Sequence, residues 1–146
     1  MILVTGSSGQ IGSELVSALR HRFGVDKVVA GRHWTPLTEE IASLGPSAVV
    51  DVTEYNDLHR TINEYSIDRI FHMSSVLSAL AERRFDMAYE VNINGVNNIL
   101  RCALDNGVEQ VIIPSSIAAF GPDTPRDNTP NDTVQRPSTI YGISKV

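Results

Sequence analysis

The stretch Val4 to Gly12, Val-Thr-Gly-Ser-Ser-Gly-Gln-Ile-Gly, constrains this chain more than any other. It joins the apolar run Met1 to Val4 to a helical pattern through glycines at 6, 9 and 12. An apolar run without polar alternation is expected of a strand covered on both faces of a parallel sheet. Ile11, Leu15, Leu19 and Phe23 then recur at every fourth residue with Ser13, Glu14, Ser17 and Arg20 between them. That pattern predicts an amphipathic helix with those four apolar residues along its buried face. The junction turns backbone N–H groups around Gly6, Gly9, Gln10, Ile11 and Gly12, and the positive end of a helix dipole, toward one point. A pyrophosphate suits that point. Gly6 allows the tight turn, Gly9 leaves room for phosphate, and Gly12 lets the helix lie close to the sheet.

A chain of 146 residues supports one domain with a real core, so residues 1–146 are read as a single Rossmann-like α/β domain, a doubly wound parallel sheet. The net charge of −5, with no Lys/Arg cluster, argues against nucleic acid or an anionic membrane surface as a partner. No apolar run approaches bilayer-spanning length, and the sequence starts directly in a core strand without a charged leader, which gives a cytoplasmic expectation. Cys102, the single cysteine, sits in an apolar helical pattern and reads as a buried thiol. His21, His33, His59 and His72 show no metal-ligand spacing, so no metal is expected.

Val28 to Ala30 forms the second expected strand and ends at Gly31-Arg32. Arg32 stands 20 residues beyond Gly12, where a dinucleotide fold usually places the carboxylate that accepts from the adenosine ribose. A guanidinium there suits a 2′-phosphate and raises NADP as an alternative to NAD; a solvent-exposed loop arginine is the competing reading. Thr35 and Pro36 suggest a cap and first turn for a weak helix running to Leu44, stopped by Gly45-Pro46. The third strand, Ser47 to Val52, ends on Asp51, which could accept from adenine or cap the next turn, and on Val52, which could cover the ring edge. Asp57, Leu58, Ile62 and Tyr65 outline a third helix, and Ile67 to Met73 a fourth strand. The loop after it offers Ser74 as a cofactor neighbour and Ser78 as a hydroxyl for a polar substrate. Ala81 to Asn106 is the longest helical pattern, with Tyr89, Ile93, Val96, Leu100 and Leu104 along one side. Its middle holds Asn92 and Gly95, poor helix-interior residues that packing or function must justify. Asn92 is expected to face the site and hold a water or a loop backbone; Gly95 would admit another element.

The fifth strand, Val111 to Ile113, leads to Ser115-Ser116, and the long polar loop Pro122 to Pro137 delivers Tyr141-Gly142-Ile143-Ser144-Lys145. If a helix starts at Ser138, Tyr141 and Lys145 lie on one face a turn apart. A tyrosine acting as a base near neutral pH must lose about three pKa units, roughly 4 kcal/mol. An ammonium about 4 Å away, at an effective dielectric of about 20, supplies that amount. Ser116, at the end of the fifth strand, can hold the reacting oxygen of an alcohol or ketone, which makes Ser116, Tyr141 and Lys145 the candidate catalytic trio.

The motifs Thr5-Gly6-x-x-Gly9-x-x-Gly12, Ser115-Ser116-x-Ala118-x-Phe120-Gly121 and Tyr141-x-x-x-Lys145 resemble the extended short-chain dehydrogenases/reductases over the whole chain. Met1 to Gly12, Leu77-Ser78-Ala79, Phe120 to Pro125, Gln135-Arg136-Pro137 and Ile140-Tyr141-Gly142 are more closely similar to the epimerase-like L-threonine 3-dehydrogenases. That resemblance implies NAD-dependent oxidation of L-threonine to 2-amino-3-oxobutanoate, and a homodimer in the full-length enzymes. It implies that Tyr141 takes the hydroxyl proton, that Lys145 lowers the tyrosine pKa and binds the nicotinamide ribose, that Ser116 positions the hydroxyl, and that Ser78 contacts the substrate. Two departures stand out. Arg32 replaces the usual Asp, and the family continues for about as many residues again, including a substrate domain. The 146 residues alone are therefore expected to show little turnover. A sugar-nucleotide epimerase or dehydratase and a non-catalytic dinucleotide-binding fragment are the rival readings.

Overall fold

The computed structural model describes all 146 residues. Its strands are β1 (Ile2–Thr5), β2 (Val28–Arg32), β3 (Ser47–Val49), β4 (Arg69–His72) and β5 (Gln110–Ile112). The helices are α1 (Gln10–Phe23), α2 (Glu39–Leu44), α3 (Tyr55–Glu64), α4 (Ser78–Arg83), α5 (Phe85–Tyr89), α6 (Gly95–Asp105) and α7 (Ile140–Ile143). All strands pair in parallel, in the order β3-β2-β1-β4-β5. The chain winds outward from β1 to β3 and then crosses back to β4, so strand order reverses between β1 and β4. Their carboxyl ends open the crevice in which such sheets bind ligands.

The unalternated β1 is buried on both sides for a simple reason: successive side chains point to opposite faces and each face carries helices. Ile2 and Val4 pack with Val16 and Leu19 of α1 and Ile41 of α2. Leu3 packs on the other face with Leu58 and Ile62 of α3 and Ile99 and Cys102 of α6.

Several expected boundaries move. On α1 the buried residues are Gly12, Val16, Leu19 and Arg20, while Ile11 and Phe23 are exposed. A strict four-residue spacing drifts about 40° per step around a helix, which carries the two ends of the series off the core face. The cap of α2 is Thr38, whose Oγ1 accepts from Ile41 N at 3.4 Å, and not Thr35. β3 stops at Val49, β4 is shorter at both ends than expected, and β5 begins one residue earlier. The single helix expected over Ala81 to Asn106 is instead α4, a break at Arg84, α5, a π-turn at Glu90–Asn94, and α6. The π-turn inserts a residue and rotates the phase. Asn92, Gly95, Ile99 and Cys102 therefore face inward, and Leu100 and Leu104 face out.

Arg20, grouped by its polarity with the solvent side of α1, is 5% exposed. Its guanidinium donates to the carbonyls of Ile41 at 2.6 Å, Pro46 at 2.7 Å and Val28 at 3.3 Å, tying α1, β2, α2 and the turn before β3 together. Replacing Arg20 with Met would remove the guanidinium donors from the Val28, Ile41 and Pro46 carbonyls, of which Pro46 O keeps only its bond from Ala30 N, and a loss of about 2–4 kcal/mol is expected. Urea denaturation of Arg20→Met against the parent chain checks this.

Candidate functional site

The crevice starts at the turn after β1. Gly6 has φ +67, and a Cβ there would lie 2.7 Å from Ser74 N; a Cβ on Gly12 would lie 2.2 Å from Gly6 O. Backbone therefore packs against backbone at both positions, and any side chain would push the loops apart. At Gly9 the nearest atom to such a Cβ is Gly6 O at 3.3 Å, and the space above it is open. No side chain caps α1 and its first turn carries no acidic residue, so the orphan N–H groups at Gln10 and Ile11 face that open space. Unpaired N–H groups at a helix start are the donor type that binds anions, and Gly6, Gly9, Gln10, Ile11 and Gly12 surround them. The exposed Ile11 side chain belongs to the rim of the crevice and not to the core.

On the β4 side, Thr5 Oγ1 lies 2.9 Å from His72 Nδ1 and accepts from Ser74 N at 3.4 Å. Ser74 is thereby held against the glycine turn. Asn92 is 3% exposed and points from the π-turn into the loop after β4. Its Oδ1 accepts from Val76 N at 2.7 Å and Ser75 Oγ at 3.2 Å, and its Nδ2 donates to Val76 O at 3.0 Å and Ser144 Oγ at 3.2 Å. This side chain spans loop and α7, and its hydrogen bonds are to protein.

α7 is short, starting at Ile140 rather than Ser138 and ending before Lys145. Four contacts hold it. Thr139 Oγ1 accepts from Gly142 N at 3.0 Å, Glu82 Oε1 on α4 accepts from Ile140 N at 2.8 Å, Asn92 reaches Ser144, and Ser115 Oγ donates to Lys145 O at 2.8 Å. A Cβ on Gly142 would lie 2.2 Å from Ala118 O, so α7 rests directly on the tight turn Ile117–Ala119 that Ser116 caps. Ser116 Oγ accepts from Ala118 N at 3.2 Å. Tyr141 packs beside Val76, Ala81 and Ala88, and Lys145 Nζ lies 5.6 Å from the centroid of its ring. The segments that carry Ser116, Tyr141 and Lys145 thus meet beside the β4 loop, with no hydrogen bond among the three side chains. Ser78 opens α4, one turn before Glu82, on the helix that holds the start of α7.

At the other end of the crevice, Arg32 ends β2 and its Nη1 donates to His33 O at 3.0 Å. Asp51 Oδ1 accepts from Thr53 N at 2.9 Å and Thr53 Oγ1 at 2.8 Å, the turn-capping geometry, and Oδ2 lies 3.2 Å from His33 Nε2. Val52 is buried, and the absent Cβ of Gly95 lets it approach α6 closely. His33 and His72, which lack metal-ligand spacing, and Glu82 and Ser144 carry no sequence signal for the contacts they make here. Their partners lie far along the chain, 58 residues away for Glu82, so local spacing carries no trace of them.

Burial pushes the His72 imidazole down to about 4, with the charge of Lys145 acting in the same direction. Its Nε2 has no hydrogen-bond partner. The unfolded chain takes up a proton near the ordinary value of about 6.5, and the folded chain resists it until about pH 4. The stability this histidine contributes is therefore whole above about pH 6.5 and is lost as pH falls toward 4, by about 3 kcal/mol. Denaturation midpoints measured across that window should fall with acid, and more shallowly in His72→Gln.

Comparison with known proteins adds a family. The chain is 41% identical over 145 residues to the mitochondrial L-threonine 3-dehydrogenase of Bos taurus, covering 99% of this chain and 38% of that protein. The solved L-threonine dehydrogenase of Clostridium difficile superposes with a TM-score of 0.93 at 40% identity, over 98% of this chain and 44% of the other. The holo form of a GalE-like L-threonine dehydrogenase from Cupriavidus necator gives 0.92 at 36% identity, over 98% and 46%. The chain thus spans less than half the length of each of these proteins. The family model described as NAD dependent epimerase/dehydratase family matches residues 2–146. A glycine cradle at the switch point of a parallel sheet and a family match over nearly every residue agree, and the chain belongs to the NAD dependent epimerase/dehydratase family.

Proposed function

We propose that this chain supplies the dinucleotide-binding and proton-transfer part of an enzyme that oxidises L-threonine at its 3-hydroxyl group. The observation that supports this reading is the packing of α7 on Ala118, which sets the segment of Tyr141 and Lys145 against the turn that Ser116 caps. A nicotinamide dinucleotide held at the glycine turn by Gly6, Gly9, Gln10, Ile11 and Gly12 would supply the hydride acceptor for carbon 3. Tyr141 Oη takes the proton of the 3-hydroxyl group, and the C–O bond becomes a carbonyl as the hydride departs. Ser116 Oγ donates to that oxygen and fixes its position. Lys145, whose pKa burial pulls down, keeps its amine beside the tyrosine ring and would bind a ribose hydroxyl of the cofactor. Ser78, exposed on the helix whose Glu82 anchors α7, would contact the substrate. The threonine assignment rests on the named relatives and on the trio. The division into a dinucleotide domain here and a substrate domain elsewhere in the longer enzymes rests on the partial coverage.

The test is threonine-dependent reduction of the cofactor, followed by its absorbance, in this chain joined to the remaining sequence of the Clostridium difficile relative. Tyr141→Phe is expected to lower the rate by about 10²–10⁴-fold. Cofactor affinity, read by calorimetry, should stay nearly constant in the same variant. A Tyr141→Phe protein that turned over at the parent rate would rule out the proton-transfer role, and turnover of a UDP-sugar in place of threonine would rule out the substrate.

A further inference from the structure

The end of β2 is built for a different ligand group from the ribose diol usually met there. Its position is set by two ties to the glycine turn: Ser7 N donates to Gly31 O at 2.9 Å, and Ser8 Oγ donates to Thr35 O at 2.7 Å. The segment Gly31 to Thr35 therefore forms the wall beside the phosphate cradle, on the side where an adenosine ribose lies in such folds. A free 2′-hydroxyl group in that place needs an acceptor, ordinarily a carboxylate. The carboxylate that ends the neighbouring strand, Asp51, is turned to Thr53 with one oxygen and to His33 with the other. What the wall presents instead is donors. Arg32 is half-buried and carries five N–H groups, of which one is engaged, at His33 O. The His33 ring lies 3.2 Å from Asp51 Oδ2 through its Nε2, with the exposed Trp34 tilted against it at 4.5 Å between centroids.

A planar guanidinium with spare donors matches the oxygens of a phosphate monoester in a way that it cannot match two hydroxyl groups. We infer that the wall Gly31 to Trp34 is a 2′-phosphate site with Arg32 as its specificity-determining residue, and that this chain takes NADP(H) in preference to NAD(H). The inference rests on the dinucleotide reading above and departs from the cofactor in the family's name. Charge-assisted hydrogen bonds of this kind make a difference of about tenfold or more in affinity.

Calorimetric titration of the 146-residue chain with NADP⁺, NAD⁺, 2′-AMP and 5′-AMP tests it. NADP⁺ should bind at least about tenfold more tightly than NAD⁺, and 2′-AMP more tightly than 5′-AMP, with both preferences shrinking as salt is added. Arg32→Ala should bring NADP⁺ down to the NAD⁺ affinity while leaving NAD⁺ unchanged, and Arg32→Asp should invert the preference. Equal or tighter binding of NAD⁺ by the parent chain overturns the inference and leaves the dinucleotide reading standing. So does an equal loss of both nucleotides in Arg32→Ala, once circular dichroism shows the variant folded. Binding of neither nucleotide by the folded parent chain overturns the dinucleotide reading itself, and this inference with it.

Discussion

Everything at the carboxyl edge of the sheet depends on backbone touching backbone at Gly6 and Gly12. A Cβ on Gly6 would collide with the chain at Met73 and Ser74, and one on Gly12 with the Gly6 carbonyl. Removing side chains from those two positions lets the end of β1, the start of α1 and the loop after β4 occupy one small volume. That volume lies at the switch point of the sheet, where the proposed phosphate cradle and reaction crevice meet. The same close approach aims the unpaired N–H groups of α1 at open space rather than at protein, which is the condition for anion binding at a helix start.

The reacting end is assembled by a different device. α7 has four residues and could not stand as a helix in water. Its geometry is imposed from outside: Glu82 and Thr139 take its first N–H groups, the Ala118 carbonyl sits where a side chain of residue 142 would be, and Asn92 and Ser115 fasten its end. Asn92 does so only because the π-turn rotates it inward, so the local helix cost of that turn is offset by four hydrogen bonds to the β4 loop and α7. Tyr141 and Lys145 are thus positioned by contacts that join four separate elements.

The two ends of the crevice differ in electrostatic character. At the α7 end, His72 is a neutral buried imidazole near the half-buried Lys145 amine, and neither gains from a nearby carboxylate. At the adenosine end, the carboxylate of Asp51 is turned to His33 and Thr53 and a guanidinium stands at the wall. A ligand spanning the crevice meets donors along most of its length, which suits a polyanion.

The sequence by itself determined the sheet, the winding and the glycine cradle, because these rest on short-range rules: an unalternated apolar run, glycines at 6, 9 and 12, and an amphipathic helix immediately after. It also singled out Ser116, Tyr141 and Lys145 as a candidate set, while the helical turn expected from Ser138 proved to be a four-residue helix ending before Lys145. Only the tertiary structure decided which faces are buried and how the site is held. Arg20 turned out to be an interior brace, because the carbonyls that need its donors come from three elements that meet only in the fold. The helix read as continuous from Ala81 to Asn106 broke and slipped phase at Glu90 to Asn94, because packing Asn92 inward outweighs an unbroken ladder there. Asp51 was legible as a turn cap or a ligand contact, and its engagement with His33 depended on two adjacent strand ends whose register no local pattern records.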